Sequence, residues 1–337
     1  MSRINTELKE LEVKVAGRKR GQYDPRTSGI TVSLLQKWLR CRYSASLYLS
    51  GWSPLRVKDS MNFGNLFHGL LHHVYDNLRT SGSLPRKPAH LPAAGSEIAA
   101  VFLDRYYKEA VRTLQGADLE TMQRDLLVCL TLIKPYLWFW RGDFYKRRWI
   151  GLETQFDINF RGFRLRGKRD GVYETKSGDV RLLETKTKSR LDNEEELTDA
   201  LVIDLQCMFY LLATRLELGQ FIPGVTYNIV RRPGLYVTKG ESAEAYAEKV
   251  AEDIEKRPLH YFVRYELDFA KVDQRTFRDS LAGRLREFEG WCRGEVANYR
   301  NETSCLGRFN CSYLNHCASG SFDQYCVSEL FKELEDI

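Results

Sequence analysis

Two carboxylates and one amine have the types and spacing that suit chemistry at a metal ion. Asp170 closes the tetrad G-x-x-D, and Glu184 and Lys186 form the triplet E-x-K that begins fourteen positions later. Two carboxylates held close together repel each other unless a divalent cation neutralises them, and their oxygens suit magnesium or manganese. An ammonium group beside such an ion can orient an attacking water and offset negative charge that develops at phosphorus. The three residues therefore predict metal-dependent cleavage of phosphodiesters.

A β-hairpin is the element that must bring these three residues together. Segments 163–173 and 180–187 have the alternation of strands, and Gly178 supplies the left-handed residue that ends a three-residue hairpin loop. Pairing through that loop sets Asp170 across from Glu184, and Lys186 shares the face of Glu184 because side chains alternate along a strand. An exposed hairpin with ordinary cross-strand ion pairs would carry the same triplet, so the motif needs support from other segments.

A predicted helix after the hairpin carries two more polar residues. Gln206 and Tyr210 lie four positions apart in the apolar-periodic run 198–218. Residues at this spacing project from the same face of a helix. Both side chains therefore project from one face of a helix that directly follows the E-x-K strand.

A second predicted helix, over residues 66–75, lies upstream of the hairpin and is opened by Gly64. It presents His68, whose imidazole suits a metal ion or a phosphate. His72 and His73 follow on the same helix, and a helix histidine taken alone is more often structural than a ligand. The spacing from Gly64 favours His68.

The order of these motifs, G-x-x-x-H, G-x-x-D, E-x-K and Q-x-x-x-Y, resembles the PD-(D/E)XK nuclease superfamily, specifically its RecB-like exonuclease branch. The resemblance extends over about residues 30–317. It implies an α/β fold with a restriction-endonuclease-like core, in which helices flank a mixed sheet. It also implies roles for individual residues: metal ligation by His68, Asp170, Glu184 and the backbone carbonyl of Thr185, service of the attacking water by Lys186, and positioning of DNA or catalytic groups by Gln206 and Tyr210. The implied metal is Mg²⁺ or Mn²⁺.

The eight cysteines are unevenly distributed along the chain. Cys305, Cys311 and Cys317 follow one another at six-residue steps, which favours soft-metal coordination. A tetrahedral or cuboidal site needs a fourth ligand, and Cys41 is the candidate. Iron–sulfur members of the RecB-like branch, including AddB-type and CRISPR-adaptation exonucleases, carry one cysteine before the histidine motif and three near the C-terminus. The resemblance thus implies a 4Fe-4S cluster, while Zn²⁺ is the competing occupant and Cys326 the alternative ligand.

Basic clusters flank three of the predicted core strands, and the net charge of +6 is compatible with nucleic acid. One cluster is 146–148, a second contains Lys188 and Arg190, and the third is Arg231 and Arg232 before a proline-glycine turn. Clusters in these places can line one groove and contact DNA phosphates without reading sequence. Each alone also matches an ordinary solvated charge run.

Composition predicts one globular unit, with 43% hydrophobic and 12% aromatic residues over 337 positions and no membrane-length apolar run. Its predicted parts are a charged N-terminal tail (1–28), the first cluster cysteine with the histidine helix (29–84), a helical insertion over the active site (85–145), the nuclease core (146–270) and C-terminal helices with the cysteine cluster (271–337). Further predicted elements are helices over 99–114, 118–140 and 274–293 and strands over 149–160, 225–230 and 261–267, the last at a sheet edge.

These features predict a metal-dependent DNA exonuclease that acts on single-stranded or free ends in recombination, repair or degradation. A structure-specific endonuclease and a non-catalytic DNA-binding scaffold are the alternatives. No Walker-type motif is present in the sequence, so the chain has no helicase motor of its own, and a helicase or a recombinase is the expected type of partner. The charged start without an apolar signal segment predicts the reducing cytoplasm of a prokaryotic cell or phage-infected host, no membrane partner and no disulfides.

Overall fold

A mixed five-stranded sheet forms the middle layer of the computed structural model, which describes residues 22–55, 59–80, 82–112, 114–190, 194–270, 272–306, 311–331 and 334. The strands of the molecule are β1 (Trp52–Pro54), β2 (Arg148–Phe160), β3 (Phe163–Glu174), β4 (Val180–Lys188), β5 (Gly224–Arg231), β6 (Phe262–Asp268) and β7 (Tyr325–Val327). The sheet order is β2-β3-β4-β5-β6, in which only β4 and β5 are parallel neighbours. The predicted edge strand is β6, at one end of this order.

Helices cover both faces of the sheet, as predicted for this fold class. They are α1 (Val32–Arg40), α2 (Arg42–Leu49), α3 (Asp59–Thr80), α4 (Leu91–Ala110), α5 (Gly116–Phe139), α6 (Gly142–Tyr145), α7 (Glu194–Val202), α8 (Leu205–Leu218), α9 (Ala243–Lys256), α10 (Pro258–Tyr261), α11 (Gln274–Arg293) and α12 (Leu314–Ser319). One hydrophobic core joins α1, α7, α8 and α11 to the sheet. A second joins α3, α4, α5 and α9 to its other face, so the helices of residues 85–145 share a core with the sheet.

Two tight hairpins set the register of β2, β3 and β4. Phe160 pairs with Phe163 across a two-residue turn whose residues, Arg161 and Gly162, have φ angles of 52° and 85°. Positive φ at both positions matches the twist of two-residue hairpins. Gly178 has φ 89° in the loop between β3 and β4, which confirms the predicted left-handed position.

The run 198–218, predicted as one helix, forms the two helices α7 and α8, which are bent by 41° relative to each other. Asp204 causes the break, because its side chain accepts a hydrogen bond from the backbone N–H of Cys207 at 2.9 Å and thereby caps α8. Within the described ranges, no single helix is long and apolar enough to span a membrane, and α7 with α8 reach that length only as this bent pair.

Other helix boundaries differ from the predicted ones at their ends. The helix predicted over 66–75 is the longer α3, and the helix predicted over 99–114 starts at Leu91. Pro92 lies in the first turn of α4, where proline fits because its missing N–H has no helical partner. The helix predicted over 274–293 is confirmed as α11.

Residues 22–28 are packed onto the molecule, although they were predicted to belong to a loosely attached tail. Tyr23 is buried with its ring 6.2 Å from that of Phe288 in a T-shaped contact. Arg26 Nε lies 2.6 Å from Glu289 Oε1. The rest of the predicted tail, residues 1–21, lies outside the described residues.

The two ends of the described chain are joined by a separate antiparallel ribbon. β1 pairs with β7, with Ser53 opposite Cys326. Tyr313 donates a hydrogen bond from its hydroxyl to the carbonyl of Trp52 at 2.6 Å. This ribbon holds the C-terminal segment beside α1 and α2.

A buried ion pair connects β6 to α6, the short helix that precedes β2. Arg264 Nη2 lies 2.6 Å and Nη1 2.8 Å from the two carboxylate oxygens of Asp143, and both side chains are at most 5% exposed. Tyr75 donates to Asp143 at 2.7 Å, and Arg264 Nε donates to Asn228 on β5 at 2.9 Å. Although burial opposes it, Arg264 holds the pKa of the Asp143 carboxyl below its usual range.

We expect Asp143→Ala to lower the free energy of unfolding by about 3–5 kcal/mol, because it leaves the Arg264 guanidinium buried without a counter-charge. Urea denaturation measures the change. The control is Asp279→Ala, which removes an exposed partner of Arg161 and should cost less than about 1 kcal/mol. Equal costs for the two variants would contradict the importance of the buried pair.

Candidate active site

The predicted site begins where the β3–β4 ladder ends. Four residue pairs join the strands, from Glu174 with Val180 to Gly171 with Leu183. This register points to Asp170 opposite Glu184, as predicted, but pairing ends one residue earlier. The Asp170 Oδ2 atom instead accepts a hydrogen bond from the Thr185 backbone N–H at 2.6 Å. The carboxylate therefore takes a backbone donor of β4 at the point where the ladder stops.

Glu184 and Lys186 are in direct contact on β4 and share a partner on α8. Lys186 Nζ lies 2.5 Å from Glu184 Oε1. Gln206 donates its amide N–H to the same oxygen at 2.8 Å and accepts from Lys186 at 3.2 Å. Its amide also lies 3.4 Å from the Tyr210 hydroxyl. The Q-x-x-x-Y residues thus hold the carboxylate and the ammonium group in one arrangement.

His68 projects from α3 toward Asp170, with 3.8 Å between His68 Nδ1 and Asp170 Oδ2. Gly64, one turn earlier, lies inside the helix and does not open it as predicted. A Cβ atom at Gly64 would lie 3.0 Å from the Thr187 hydroxyl of β4, so glycine permits the close approach of helix and strand. Burial, reinforced by the Lys186 charge, lowers the pKa of His68 to about 4. The imidazole is therefore neutral at pH 7, the form that binds metal ions.

Glu153 of β2 is a further acidic residue of the site, and none of the sequence motifs includes it. The pairs on either side, Leu152 with Gly171 and Thr154 with Arg169, place it across from Asp170. One carboxylate oxygen each of Glu153 and Asp170 and one ring nitrogen of His68 all lie within 4.8 Å of one another. The two-residue turn after Phe160 was the available signal, because counting back seven residues from Phe160 and forward seven from Phe163 reaches Glu153 and Asp170.

Buried negative charge dominates the electrostatics of the site. Burial raises the pKa of Asp170 to about 7, and the neighbouring Glu153 carboxylate adds to the rise. Burial also raises the pKa of Glu184 to about 7, against the opposing effect of Lys186. Burial works against the charge of Lys186, but Glu184 and Asp170 together hold its pKa above the usual range. The lysine therefore stays protonated beside carboxyls that are only partly ionised at neutral pH.

The donor set fits a divalent cation. Carboxylate oxygens and a neutral imidazole lie close enough to share one ion. Hard oxygen ligands with one histidine suit Mg²⁺ or Mn²⁺. An ion at this place would also favour the ionised form of the carboxyls, whose pKa values are raised without it.

A buried polar network supports the site from the other side of β4. Asn228 donates its amide N–H to the Thr185 hydroxyl at 3.2 Å and to the Tyr136 hydroxyl at 3.0 Å. Asn228 also accepts from Arg264, the residue paired with Asp143. Thr185, whose backbone N–H donates to Asp170, is therefore also held through its side-chain hydroxyl.

The site lies in a cleft of about 650 Å³. The start of α1, the helices α3 and α8, and the sheet border this cleft. Phe102 and Tyr106 of α4 also line it, which brings the segment 85–145 to the edge of the site. The cleft thus has an aromatic side and a charged side.

The four residues predicted to contact DNA lie in different surroundings. Lys188 Nζ lies 5.8 Å from the ring centre of Tyr227, and Arg190 is exposed. Arg231 Nη1 lies 2.7 Å from the His260 ring, and Arg232 Nη2 lies 3.0 Å from a carboxylate oxygen of Asp125. A phosphate would have to compete with these protein partners for the two arginines.

Among the described residues, the donor atoms that lie within 4.8 Å of one another as a group of three belong to His68, Glu153 and Asp170, and the four cysteines predicted to hold a cluster form no such group. Cys41 is buried at the junction of α1 and α2, and Cys305, Cys311 and Cys317 are half-buried. Burial raises the pKa of Cys305, and the thiols of Cys311 and Cys41 add to the rise. Burial also raises the pKa of Cys317, and the thiols of the other three cysteines add to that rise. The Asn301 backbone N–H lies 3.5 Å from Cys41 Sγ as a donor. Such N–H contacts to sulfur are common at metal-thiolate sites.

A sequence profile described as the PD-(D/E)XK nuclease superfamily matches residues 29–318. That range contains β2 to β6 and all the site residues described above. No curated protein sequence matches the chain.

The raised pKa values of Asp170 and Glu184 predict a pH dependence for the metal-free protein. Because the folded state retains protons on these two carboxyls that the unfolded chain releases, their contribution to stability should fall as the pH rises from about 4 to about 7, while the lowered pKa of His68 contributes in the opposite direction over part of this range. Thermal unfolding in the presence of a chelator measures this decline. Glu184→Gln removes one of the titrating groups and should show a smaller decline. A pH profile of Glu184→Gln that runs parallel to that of the wild type would contradict the raised pKa of Glu184, because His68 contributes equally to both profiles.

Proposed function

The chain belongs to the PD-(D/E)XK nuclease superfamily, and on that premise we propose that it is a metal-dependent DNA exonuclease of the RecB-like branch. It hydrolyses phosphodiester bonds from free ends, with preference for single strands. The observation that carries the proposal is the contact of Glu184, Lys186 and Gln206 beside Asp170. Both carboxylates and the lysine are present and close together, which supports an enzyme over a DNA-binding scaffold.

In this proposal, His68, Asp170, Glu184 and the carbonyl of Thr185 hold Mg²⁺ or Mn²⁺. When bound, the ion lowers the pKa of a coordinated water and offsets charge on the phosphate. Asp170 is held for this task by the Thr185 N–H at 2.6 Å. The neutral His68 imidazole supplies a nitrogen donor without adding positive charge that would repel the ion.

Lys186 acts on the attacking water and on the developing negative charge. Its ammonium group is protonated, lies 2.5 Å from Glu184 and is 34% exposed on the cleft side. Gln206 holds Lys186 and Glu184 in fixed positions through one amide contact to each, and the Tyr210 hydroxyl contacts the Gln206 amide. A charge fixed before reaction needs no rearrangement in the transition state, which is how such groups accelerate phosphodiester cleavage.

The substrate strand enters the cleft between the sheet and α4. Phe102 and Tyr106 offer ring surfaces near the acidic residues, and unpaired bases stack well on such rings. Segment 85–145 would thereby act as the cover of the site. Lys188 and Arg190 are the proposed phosphate contacts near the E-x-K strand, with Arg231 and Arg232 as further contacts at the end of β5.

We also propose that Cys41, Cys305, Cys311 and Cys317 bind a 4Fe-4S cluster that joins the N-terminal and C-terminal segments. The electrostatic effect of the Cys41, Cys305 and Cys311 thiols on Cys317 and the N–H contact to Cys41 are the observations that favour a metal-thiolate site, for which Zn²⁺ is the alternative occupant. The β1–β7 ribbon places Cys326 opposite Ser53, and this cysteine is the alternative ligand. The proposed biological setting is DNA recombination, repair or degradation with a helicase or recombinase partner.

We expect Lys186→Met to lower DNA cleavage by at least about 100-fold, because it removes the fixed positive charge at the reacting phosphate. The assay follows end-labelled single-stranded, duplex and closed circular DNA with Mg²⁺ or Mn²⁺. Lys176→Met is the matched control, since Lys176 is exposed in the β3–β4 loop, and it should retain wild-type activity. Cleavage of closed circles would indicate an endonuclease, and no metal-dependent cleavage by the wild type would leave a DNA-binding scaffold.

We expect the protein purified without oxygen to be brown and to contain iron, and Cys311→Ser to lose both the absorption and the iron. Cys129→Ser is the control, because Cys129 is buried in the α5 core away from the predicted ligand set. Cys326→Ser tests the alternative ligand and should retain iron. Colourless wild-type protein that contains zinc would contradict the 4Fe-4S cluster.

A further inference from the structure

Glu153 has a backbone conformation that a strand residue rarely adopts. Its φ angle is 48°, in the left-handed region that is unfavourable for residues with a Cβ atom. Arg161 has φ 52° as well, but it lies in a two-residue turn that requires a positive angle. Glu153 lies inside β2, between the paired residues Leu152 and Thr154, where no turn requires it. Strain of this kind persists when the surrounding structure uses it.

The side chain of Glu153 adds an electrostatic cost. It is 13% exposed, and its carboxylate lies within 4.8 Å of ligand atoms of Asp170 and His68. Two carboxylates at that separation repel each other, and the nearby Lys168 Nζ, 3.1 Å from Glu153 Oε2, compensates only one charge. A residue that combines backbone strain with repulsion is expected to have a function at this position.

The contacts of Glu184 indicate what that function is. Glu184 Oε1 is engaged by Lys186 at 2.5 Å and by Gln206 at 2.8 Å. On the opposite side of Asp170, Glu153 and His68 complete a group of three donors that can share one ion. Asp170 thus lies between two other carboxylates. Glu184 on one side is held by Lys186 and Gln206, and Glu153 on the other side is close to His68.

We infer that Glu153 is a further metal ligand of the nuclease centre, which binds the divalent cation together with Asp170 and His68. The inference rests on the proposed function and adds a residue outside the four sequence motifs. The left-handed backbone at Glu153 is then the conformation that directs this carboxylate to the ion. Lys168 is its counter-charge in the metal-free protein.

Two substitutions distinguish the effect of the Glu153 carboxylate as a metal ligand from the effect of its strained backbone. Glu153→Gln retains the size of the side chain and removes its charge. Glu153→Gly removes the side chain and relieves the unfavourable φ angle. We expect both to weaken Mn²⁺ binding by about 10-fold or more, the range seen when groups at a metal site are lost. We also expect Glu153→Gly to raise the thermal midpoint of the metal-free protein, so affinity and stability change in opposite directions.

The experiment measures free Mn²⁺ by electron paramagnetic resonance during titration and thermal unfolding in the presence of chelator. Arg161→Gly is the matched control, because it relieves a similar φ angle in the same hairpin without removing a carboxylate from the site. It should raise the thermal midpoint and leave Mn²⁺ affinity unchanged. Wild-type affinity in Glu153→Gln would overturn the inference and leave Glu153 as the ion-pair partner of Lys168.

DNA cleavage by the wild type separates this inference from the proposed function. If the wild type cleaves DNA with Mn²⁺ and Glu153→Gln binds Mn²⁺ as tightly as the wild type, only the role of Glu153 is wrong. If the wild type neither binds Mn²⁺ nor cleaves DNA, the proposed function fails and the inference fails with it.

Discussion

Repulsion among buried carboxylates around Asp170 is the constraint on which the site depends. Glu153, Asp170 and Glu184 come from three adjacent strands, and burial raises the pKa of each of them. Lys168 and Lys186 contact the outer two, while Asp170 is held by a backbone N–H. Such an arrangement is costly without a cation and favourable with one, because a divalent ion is the strongest local charge that a site of this kind can receive. The charge arrangement of the cleft therefore suits a divalent metal ion.

Strand β4 connects this charged site to the interior of the molecule. Thr185 contributes its N–H to Asp170 and its hydroxyl to Asn228, so one residue serves the cleft and the core. Asn228 in turn contacts Arg264, whose charge is matched by buried Asp143. Polar networks of this kind have few alternative arrangements when every member has a partner. A rigid support of this type is what a site needs when its ligands must stay close despite mutual repulsion.

Local rules were sufficient for the parts of the site that neighbouring residues determine, and insufficient where distant residues meet. Gly178 and strand alternation predicted the β3–β4 hairpin because a tight loop fixes register. Asp204, the cap that divides α7 from α8, is of a residue type that signals a helix start, whereas the apolar periodicity predicts one helix over 198–218. The role of Gly64 depends on a strand more than a hundred positions away, and Arg232 meets Asp125 across a similar distance. The position of Glu153 opposite Asp170 could be predicted from the sequence, because the turn before β3 determines the register of β2 and β3. Its strand, however, contains no motif that marks the residue as functional.

The most direct test of the central claim is to locate the metal ion. Anomalous diffraction from crystals grown with Mn²⁺ distinguishes manganese from water and shows which atoms it contacts. We predict a peak in the cleft within ligand distance of Asp170 and His68, with further carboxylate oxygens from Glu153 or Glu184 around it. Crystals that contain Mn²⁺ only at surface carboxylates, with Asp170 still bound to the Thr185 N–H alone, would contradict it.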